Sequence, residues 1–237
     1  MTRLDNRGDN ELRPVRIILG YQSFAEGSAL IELGQTRVLC SVSLEERVPI
    51  FLKGSGQGWI TAEYAMLPRS TITRTPRNRA EGRSHEIQRL IGRSLRAAAN
   101  LSILEERTFV VDCDVLQADG GTRTAAITGG YVALYHAFHN LRKQGILPFM
   151  PLTNMIAATS VGIVNDSMLL DLCYEEDYQA EVDFNVVMTD KNEYVEIQGT
   201  AEGKTFSKET TDALLALARQ GIAKLFKIQK QTLRALS

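Results

Sequence analysis

Short strands followed by a helix occur twice along this chain, and this order limits its fold more than any other feature of the sequence. β-branched segments bounded by turn residues predict strands at Val15–Tyr21, Gly27–Leu33, Thr36–Leu44, Phe109–Leu116, Asn154–Val164, Met168–Cys173, Val182–Thr189 and Tyr194–Gly199. Apolar residues at helical spacing predict helices at Arg83–Asn100, Ala125–Lys143 and Lys208–Thr232. Strands followed by helices indicate an α/β (α+β) core. The repetition would fit an internal pseudo-duplication, although no sequence repeat demonstrates one.

The composition excludes several classes of protein. A formal net charge of −1 excludes a bulk polyanion binder, so any contact with nucleic acid must come from local patches. Cys40, Cys113 and Cys173 lie far apart in the sequence, which argues against a zinc site or a disulfide framework and for a reducing compartment. The polar N-terminal residues and the lack of a long apolar run predict a soluble, cytoplasmic protein with no membrane contact.

The charged residues are sorted along the chain. Between Arg69 and Arg96 there are eight arginines and two acidic residues, whereas between Asp166 and Glu202 there are eleven acidic residues and one lysine. Three of the arginines share one helix face at the spacing i, i+4, i+7: Arg89, Arg93 and Arg96. Like charges at this spacing call for a negative partner, either acids elsewhere in the fold or phosphate groups. The alternative is two solvated faces of opposite charge.

The most distinctive local pattern is a predicted strand that runs through Gly120-Gly121-Thr122-Arg123-Thr124 into a helix. Two glycines allow a tight turn, and the helix offers unpaired N–H groups and the positive end of its dipole to an anion. Hydroxyl groups and a guanidinium add donors suited to phosphate oxygens. The pattern is neither a Walker loop nor a dinucleotide fingerprint. It indicates a small oxyanion such as phosphate, or else an ordinary helix entry.

A second pattern is a cluster of carboxylates around Asp177 and Asp183. In an extended strand the six-residue separation would place these two side chains about 20 Å apart, too far to share one ion. The chain must therefore bend near residues 178–180 if they are to meet. Oxygen ligands of this kind suit Mg²⁺ or Mn²⁺ with retained waters, and the alternative is an exposed acidic loop.

Five stretches resemble the bacterial ribonuclease PH family, in the same order and from Arg13-Pro14-Val15 into the last helix. They are Phe51–Tyr64, Met66–Thr71, Glu86–Ala97, Asp112–Thr124 and Glu196–Gly203. The resemblance implies a single domain over residues 1–237 with the ribonuclease PH-type core of mixed sheets and packed helices. It also implies a phosphorolytic 3′→5′ exoribonuclease that trims tRNA precursors and other RNA 3′ ends. Such enzymes take inorganic phosphate as co-substrate, need a divalent metal and form a homohexamer, a trimer of dimers.

The resemblance also assigns roles to individual residues. It implies a phosphate site at Arg83, Gly121, Thr122 and Arg123. It implies that Asp177 and Asp183 hold the metal, although one of them could instead be the general acid, and that this pair acts in catalysis together with Arg83 and Arg123. The residues expected to contact RNA are Arg69, Arg74, Arg77 and Arg79, in a segment a few residues shorter than the usual family version, with Arg89, Arg93 and Arg96 on the helix.

Two other functions compete with this interpretation. One is a non-catalytic subunit of an exosome-like ring that grips RNA without cleaving it. The other is an enzyme that binds a phosphorylated metabolite at Gly120–Thr124. Both halves of the expected site occur in one chain, which favours catalysis over the first, and the eight arginines are more cationic surface than a metabolite needs.

Overall fold

The computed structural model describes residues 3, 5–77, 82–203 and 205–236, and within them the chain forms two β-sheets and four α-helices. The strands are β1 (Val15–Leu19), β2 (Gly27–Leu33), β3 (Thr36–Glu45), β4 (Trp59–Met66), β5 (Thr108–Gln117), β6 (Ile156–Val164), β7 (Ser167–Leu170), β8 (Val182–Thr189) and β9 (Tyr194–Ala201). The helices are α1 (Gly82–Ala97), α2 (Thr122–Lys143), α3 (Tyr174–Gln179) and α4 (Lys208–Leu233). The mixed α/β fold predicted from the sequence is confirmed.

The first sheet has the order β1-β2-β3-β5-β4 and is antiparallel except for β4 and β5. A parallel pair needs a long crossover connection, which α1 provides here. Parallel pairing also brings the carboxyl ends of β4 and β5 together. Leu67 N–H donates to the Val115 carbonyl (3.0 Å) and Ala118 N–H donates to the Ser70 carbonyl (2.8 Å). The arginine-rich segment and the Gly-Gly turn therefore start side by side at this edge.

The second sheet has the order β7-β6-β8-β9 and is antiparallel throughout, with β9 at its edge. Alternate residues of β8, such as Phe184 and Val186, form one apolar cluster with α4. The helix α2 lies between the two sheets and is buried along most of its length, as expected for a helix that is apolar on all sides. The loop ends of both sheets meet at the N-terminus of α2.

Two elements were not predicted from the sequence. β4 has the alternation of a half-buried strand, with Ile60, Ala62 and Tyr64 buried between Thr61 and Glu63, but it follows a glycine-rich loop and has only two β-branched residues. The six-residue helix α3 is too short to show helical periodicity. None of the helices among the described residues could span a lipid bilayer.

Candidate active site

The Gly-Gly turn adopts a conformation that other residues would resist. Gly120 and Gly121 have φ angles of 72° and 65°, in the left-handed region, and Gly121 is the N-cap of α2. A Cβ atom on Gly120 would lie 2.6 Å from the Leu172 carbonyl oxygen and 2.8 Å from the Tyr174 nitrogen. The turn is thus packed against the chain that enters α3. The expected strand, turn and helix around this motif are present.

The N-terminus of α2 presents an uncompensated positive end. No acidic residue occupies the first turn of the helix. The Thr122 hydroxyl lies 2.8 Å from the phenol oxygen of Tyr64, and Arg123 Nη1 donates to Gln198 Oε1 at 3.2 Å. These contacts orient both side chains beside the free N–H groups of the first turn, an arrangement that favours an anion.

Asp177 and Asp183 come together because α3 bends the chain between them. Asp177 lies on α3 and Asp183 on β8, so the bend required by the sequence argument is a short helix that ends at Gln179, with Ala180 as its C-cap. Although Asp177 lies at the surface, the protein around it and the charge of Asp183 raise its pKa, and Arg123 and Arg83 act in the opposite direction. The two carboxylates therefore share one electrostatic environment with the two arginines.

Arg83 stands in the first turn of α1, with its side chain exposed. Its charge acts on Asp177 and also on Tyr64. The net effect on Tyr64 is a raised pKa, because burial outweighs the opposing effects of the Thr122 hydrogen bond, Arg83 and Arg123. The structure thus brings the phosphate-site candidates and the acidic pair into one place.

Sequence reasoning missed several residues of this site. Tyr64 carries no sequence signal for this site, because an aromatic residue in a strand is typical of a core, whereas its hydroxyl contacts the Thr122 hydroxyl. Thr200 Oγ1 donates to Asp183 Oδ1 at 2.6 Å, and Gln198 accepts from Arg123. The last two belong to the Glu196–Gly203 stretch that carried the family resemblance, which was the available signal.

Arg13 holds the Gly-Gly turn through hydrogen bonds to its backbone. Its guanidinium donates to both carboxylate oxygens of the fully buried Asp171 (3.0 and 2.7 Å), and also to the backbone carbonyls of Asp119 and Gly120. The Arg13 backbone N–H adds a bond to Asp171 (2.8 Å). Nothing in the local sequence indicates this pair, because its members are 158 residues apart.

Four of the expected RNA-contacting arginines lie between β4 and α1. Arg69, Arg74 and Arg77 are exposed, and the segment begins next to the turn after β5. Arg79 lies outside the described residues. The placement of the first three beside the site is compatible with RNA contact, which stays a prediction.

The three arginines on α1 differ in their surroundings. Arg89 is exposed. Arg93 pairs with Glu196 on β9 (Nη2 to Oε1, 2.8 Å), so for this residue the negative partner is an acid of the fold. Arg96 is half-buried, lies 4.0 Å from the centre of the Trp59 ring and donates to the Ile60 carbonyl. The pKa of Arg96 is lowered, mainly by burial and to a smaller extent by the like charge of Arg93. RNA contact by these three also stays a prediction, with Arg89 and Arg93 exposed and Arg96 half-buried.

The acidic pair fits a magnesium-type ion better than a closed metal site. Among the residues that the structure describes, no cluster of three or more His, Cys, Asp or Glu side chains could enclose a metal. Mg²⁺ is usually held by one or two carboxylates together with water and substrate phosphates. Asp177 and Asp183 supply the two carboxylates beside the anion site, and Thr200 leaves the second Asp183 oxygen available.

The chain matches two family models along most of its length. Residues 11–138 match domain 1 of the 3′ exoribonuclease family, and residues 154–221 match domain 2. A protein named Ribonuclease PH from Dehalococcoides mccartyi is 61% identical over 234 residues, covering 97% of each chain. Another of that name from Syntrophomonas wolfei is 56% identical, covering 98% of this chain and 99% of the relative.

Solved structures show the same fold at lower identity. A chain of the Archaeoglobus fulgidus exosome with RNA bound to the active site superposes with a TM-score of 0.83 at 24% identity, covering 95% of this chain and 91% of that one. Rice Rrp46 gives a TM-score of 0.80 at 20% identity, covering 98% and 100%. These neighbours confirm the predicted core, whereas the description of residues 1–237 as one domain stays a prediction. The family models and the full-length relatives at 56–61% identity show that this chain belongs to the 3′ exoribonuclease family.

Proposed function

We propose that this protein is a phosphorolytic 3′→5′ exoribonuclease that trims the 3′ ends of tRNA precursors with inorganic phosphate and releases nucleoside diphosphates. The observation that carries the proposal is a single site that combines a helix N-terminus without acidic residues, two arginines and a pair of aspartates. Full-length relatives named Ribonuclease PH support the same activity.

Phosphate binding is assigned to the turn and to the two arginines. The N–H groups of the first turn of α2, the Thr122 hydroxyl and the guanidinium of Arg123 all belong to the start of this helix, and Arg83 adds a second cation that acts on the same aspartate as Arg123. Backbone donors and arginine forks suit the doubly charged phosphate ion. The bound ion is held in line with the last phosphodiester of the RNA.

The reaction exchanges one phosphorus–oxygen bond for another. An oxygen of HPO₄²⁻ attacks the terminal phosphodiester, the bond to the 3′-oxygen of the penultimate nucleotide breaks, and the proton of HPO₄²⁻ passes to that oxygen directly or through one aspartate. Negative charge develops on the phosphoryl oxygens and the leaving oxygen, and Arg83 and Arg123 stabilise it by position and charge. Asp177 and Asp183 would hold Mg²⁺ or Mn²⁺, which supplies further charge neutralisation when bound.

RNA binding beyond the reacting bond is assigned to Arg69, Arg74 and Arg77, with Arg89 on α1. Replacing the first three with alanine should weaken the binding of tRNA and flatten its salt dependence, because each phosphate contact releases counterions. Binding measured between 50 and 200 mM salt tests this, since the wild type should lose affinity more steeply. An unchanged salt slope would show that these arginines do not contact phosphates.

A hexameric ring in the cytoplasm, built as a trimer of dimers, completes the proposal. Large apolar side chains exposed on the isolated chain, including Phe24, Ile50 and Phe51, would be covered by a second copy. Sedimentation of the purified protein measures this state, and a monomer would contradict it. A non-catalytic ring subunit is not favoured, because this chain carries the phosphate candidates and both aspartates together.

The decisive experiment uses purified protein, Mg²⁺ and a tRNA with a short labelled 3′ extension. Chromatography of the products, with and without inorganic phosphate, separates the mechanisms. Nucleoside diphosphates formed only with phosphate support phosphorolysis, whereas monophosphates formed without phosphate mean hydrolysis and refute it. Arg123→Ala should reduce turnover on the order of 100-fold or more, since it removes a donor for developing charge. Near-normal turnover by correctly folded Arg123→Ala would contradict the assignment.

A further inference from the structure

The edge strand β9 places three polar side chains on one face, and each contacts a charged group from a different element. Glu196 pairs with Arg93 of α1, Gln198 accepts from Arg123 of α2, and Thr200 donates to Asp183 of β8. Residues two apart in a strand point to the same side of the sheet, so the pleat of β9 places these three side chains on one face.

The register of β8 and β9 explains why this face reaches the site. Asp183 lies opposite Thr200 across the ladder, and Asn185 lies opposite Gln198. The other face of β8 packs on α4. Gly199 makes close pairing possible there, because a Cβ atom at this position would lie 2.4 Å from the Phe184 ring.

Gln198 has two partners that only a neutral amide can satisfy together. Its Oε1 accepts from Arg123 Nη1 (3.2 Å), and its Nε2 donates to Glu86 Oε1 (3.0 Å). A guanidinium only donates and an ionised carboxylate only accepts, so these partners fix the orientation of the amide. The bond restrains Arg123 and leaves the other guanidinium N–H groups for an anion.

Thr200 plays the corresponding part for the acidic pair. Its hydroxyl donates to Asp183 Oδ1 at 2.6 Å, a short, charge-assisted hydrogen bond. The carboxylate is thereby held in one rotamer with Oδ2 available to a ligand.

We propose that Gln198 and Thr200 are positioning residues of the active site: Gln198 sets Arg123 for phosphate and Thr200 sets Asp183 for the reacting groups. This inference rests on the proposed function. It makes β9 the strand that holds the phosphate side and the acidic side of the site in register, although neither residue touches the reacting atoms.

The test separates binding from turnover. Phosphorolysis is measured with phosphate varied at saturating RNA, and with RNA varied at saturating phosphate. Gln198→Met keeps the length of the side chain and removes both hydrogen bonds, and it should raise KM for phosphate about tenfold while KM for RNA stays within about twofold. Gln198→Glu should also raise it, because the new carboxylate neutralises Arg123 and repels Glu86.

Thr200→Val removes the hydroxyl at nearly constant shape and should lower kcat about tenfold with KM for phosphate unchanged. Thr200→Ser restores the donor and should recover most of the lost rate. Ile197→Thr, on the opposite face of β9, is the control for general loosening of the strand and should leave both parameters near those of the wild type.

Two results would overturn the inference. One is that Gln198→Met and Thr200→Val both stay within twofold of the wild type in kcat and in KM for phosphate. The other is that both variants lower kcat, raise the KM values for phosphate and RNA together and lower Tm, and that Ile197→Thr does the same. If the wild type performs no phosphorolysis, the proposed function fails on its own. Calorimetric titration with inorganic phosphate then still tests Gln198, since Gln198→Met must weaken binding.

Discussion

Asp171→Asn should be among the most damaging substitutions outside the reacting groups. The carboxylate is fully buried and accepts three hydrogen bonds from Arg13, from its backbone N–H, Nε and Nη2, at 2.7–3.0 Å. The substitution keeps the shape of the side chain but removes the nearer counter-charge of the buried Arg13 guanidinium, leaving only the Asp119 carboxylate at 3.9 Å. Removing one partner of a buried ion pair costs about 3–5 kcal/mol.

The expected change in Tm follows from the size of the chain. For a domain of about 150–250 residues, 1 kcal/mol shifts Tm by about 2–4 °C, so Asp171→Asn should lower Tm by roughly 6–20 °C. Because Arg13 also donates to the carbonyls of Asp119 and Gly120, the Gly-Gly turn should become less rigid in the variant as well. The increase in Tm produced by added inorganic phosphate should therefore be smaller in the variant.

The pair between Lys208 and Asp212 provides a matched control. It is also an ion pair between a basic residue and an aspartate, with an Nζ to Oδ2 distance of 2.5 Å, but both side chains are largely exposed. Exposed pairs at this helical spacing contribute about 0.3–0.5 kcal/mol, so Asp212→Asn should change Tm by no more than about 2 °C. If Asp171→Asn changes Tm as little as Asp212→Asn does, the buried pair does not fasten the N-terminal segment to the site.

Three further variants test other parts of the structure. Burial raises the pKa of Glu176, but the hydrogen bonds and charge of Arg3 outweigh burial and hold this pKa below the ordinary 4.5. The ion pair therefore stabilises the fold fully above about pH 4.5, and this stabilisation is lost as the pH falls through the lower pKa of the folded state. The gap in Tm between the wild type and Glu176→Gln should therefore narrow below pH 4.5, and a constant gap would contradict this. Gly120→Ala should cost about 1–3 kcal/mol for backbone strain, and in addition the new Cβ atom would clash with its neighbours. Gly54→Ala is the control, because Gly54 has a similar φ of 81° but a Cβ atom there would meet no atom within 4 Å. Equal losses of Tm in the two variants would refute the close packing at Gly120. Asp183→Asn should lower turnover in a way that added Mg²⁺ does not restore, and a normal rate with normal metal dependence would remove it from the metal site.

Much of the fold could be predicted from the sequence because its signals are local. Val182–Thr189 and Gly27–Leu33 were predicted with the bounds the structure has, since a short run of β-branched or other apolar residues between turn residues indicates a strand without reference to the rest of the chain. The Gly-Gly turn was found because left-handed backbone and a helix N-terminus both have clear residue preferences. Helix α3 was missed because six residues are too few for a helical period to be recognised. Strand β4 is as long as β8, but it contains only two β-branched residues and follows a glycine-rich loop, so it lacks the composition that identified the other strands.

The roles of Tyr64, Gln198 and Thr200 could not be predicted, because each depends on a partner that is distant in the sequence. Tyr64 meets Thr122 only because β4 lies beside β5 in the sheet. The arginine helix shows the same limit. Its spacing predicted a need for negative charge, but only the tertiary structure decided that Arg93 finds it in Glu196 and that Arg96 instead lies against Trp59.

The sequence by itself determined most of the strand and helix pattern, the Gly-Gly turn before a helix, the family resemblance and the two aspartates that can meet only if the chain bends. Each of these depends on residue preferences or on spacing within a few turns of chain. Only the tertiary structure decided that the bend exists, that Arg13 closes on Asp171 and that Cys40 lies opposite Cys113, since pairing between strands and elements sets those distances. Chemistry at the site requires charges from separate elements within a few ångströms, and backbone register and core packing fix those positions.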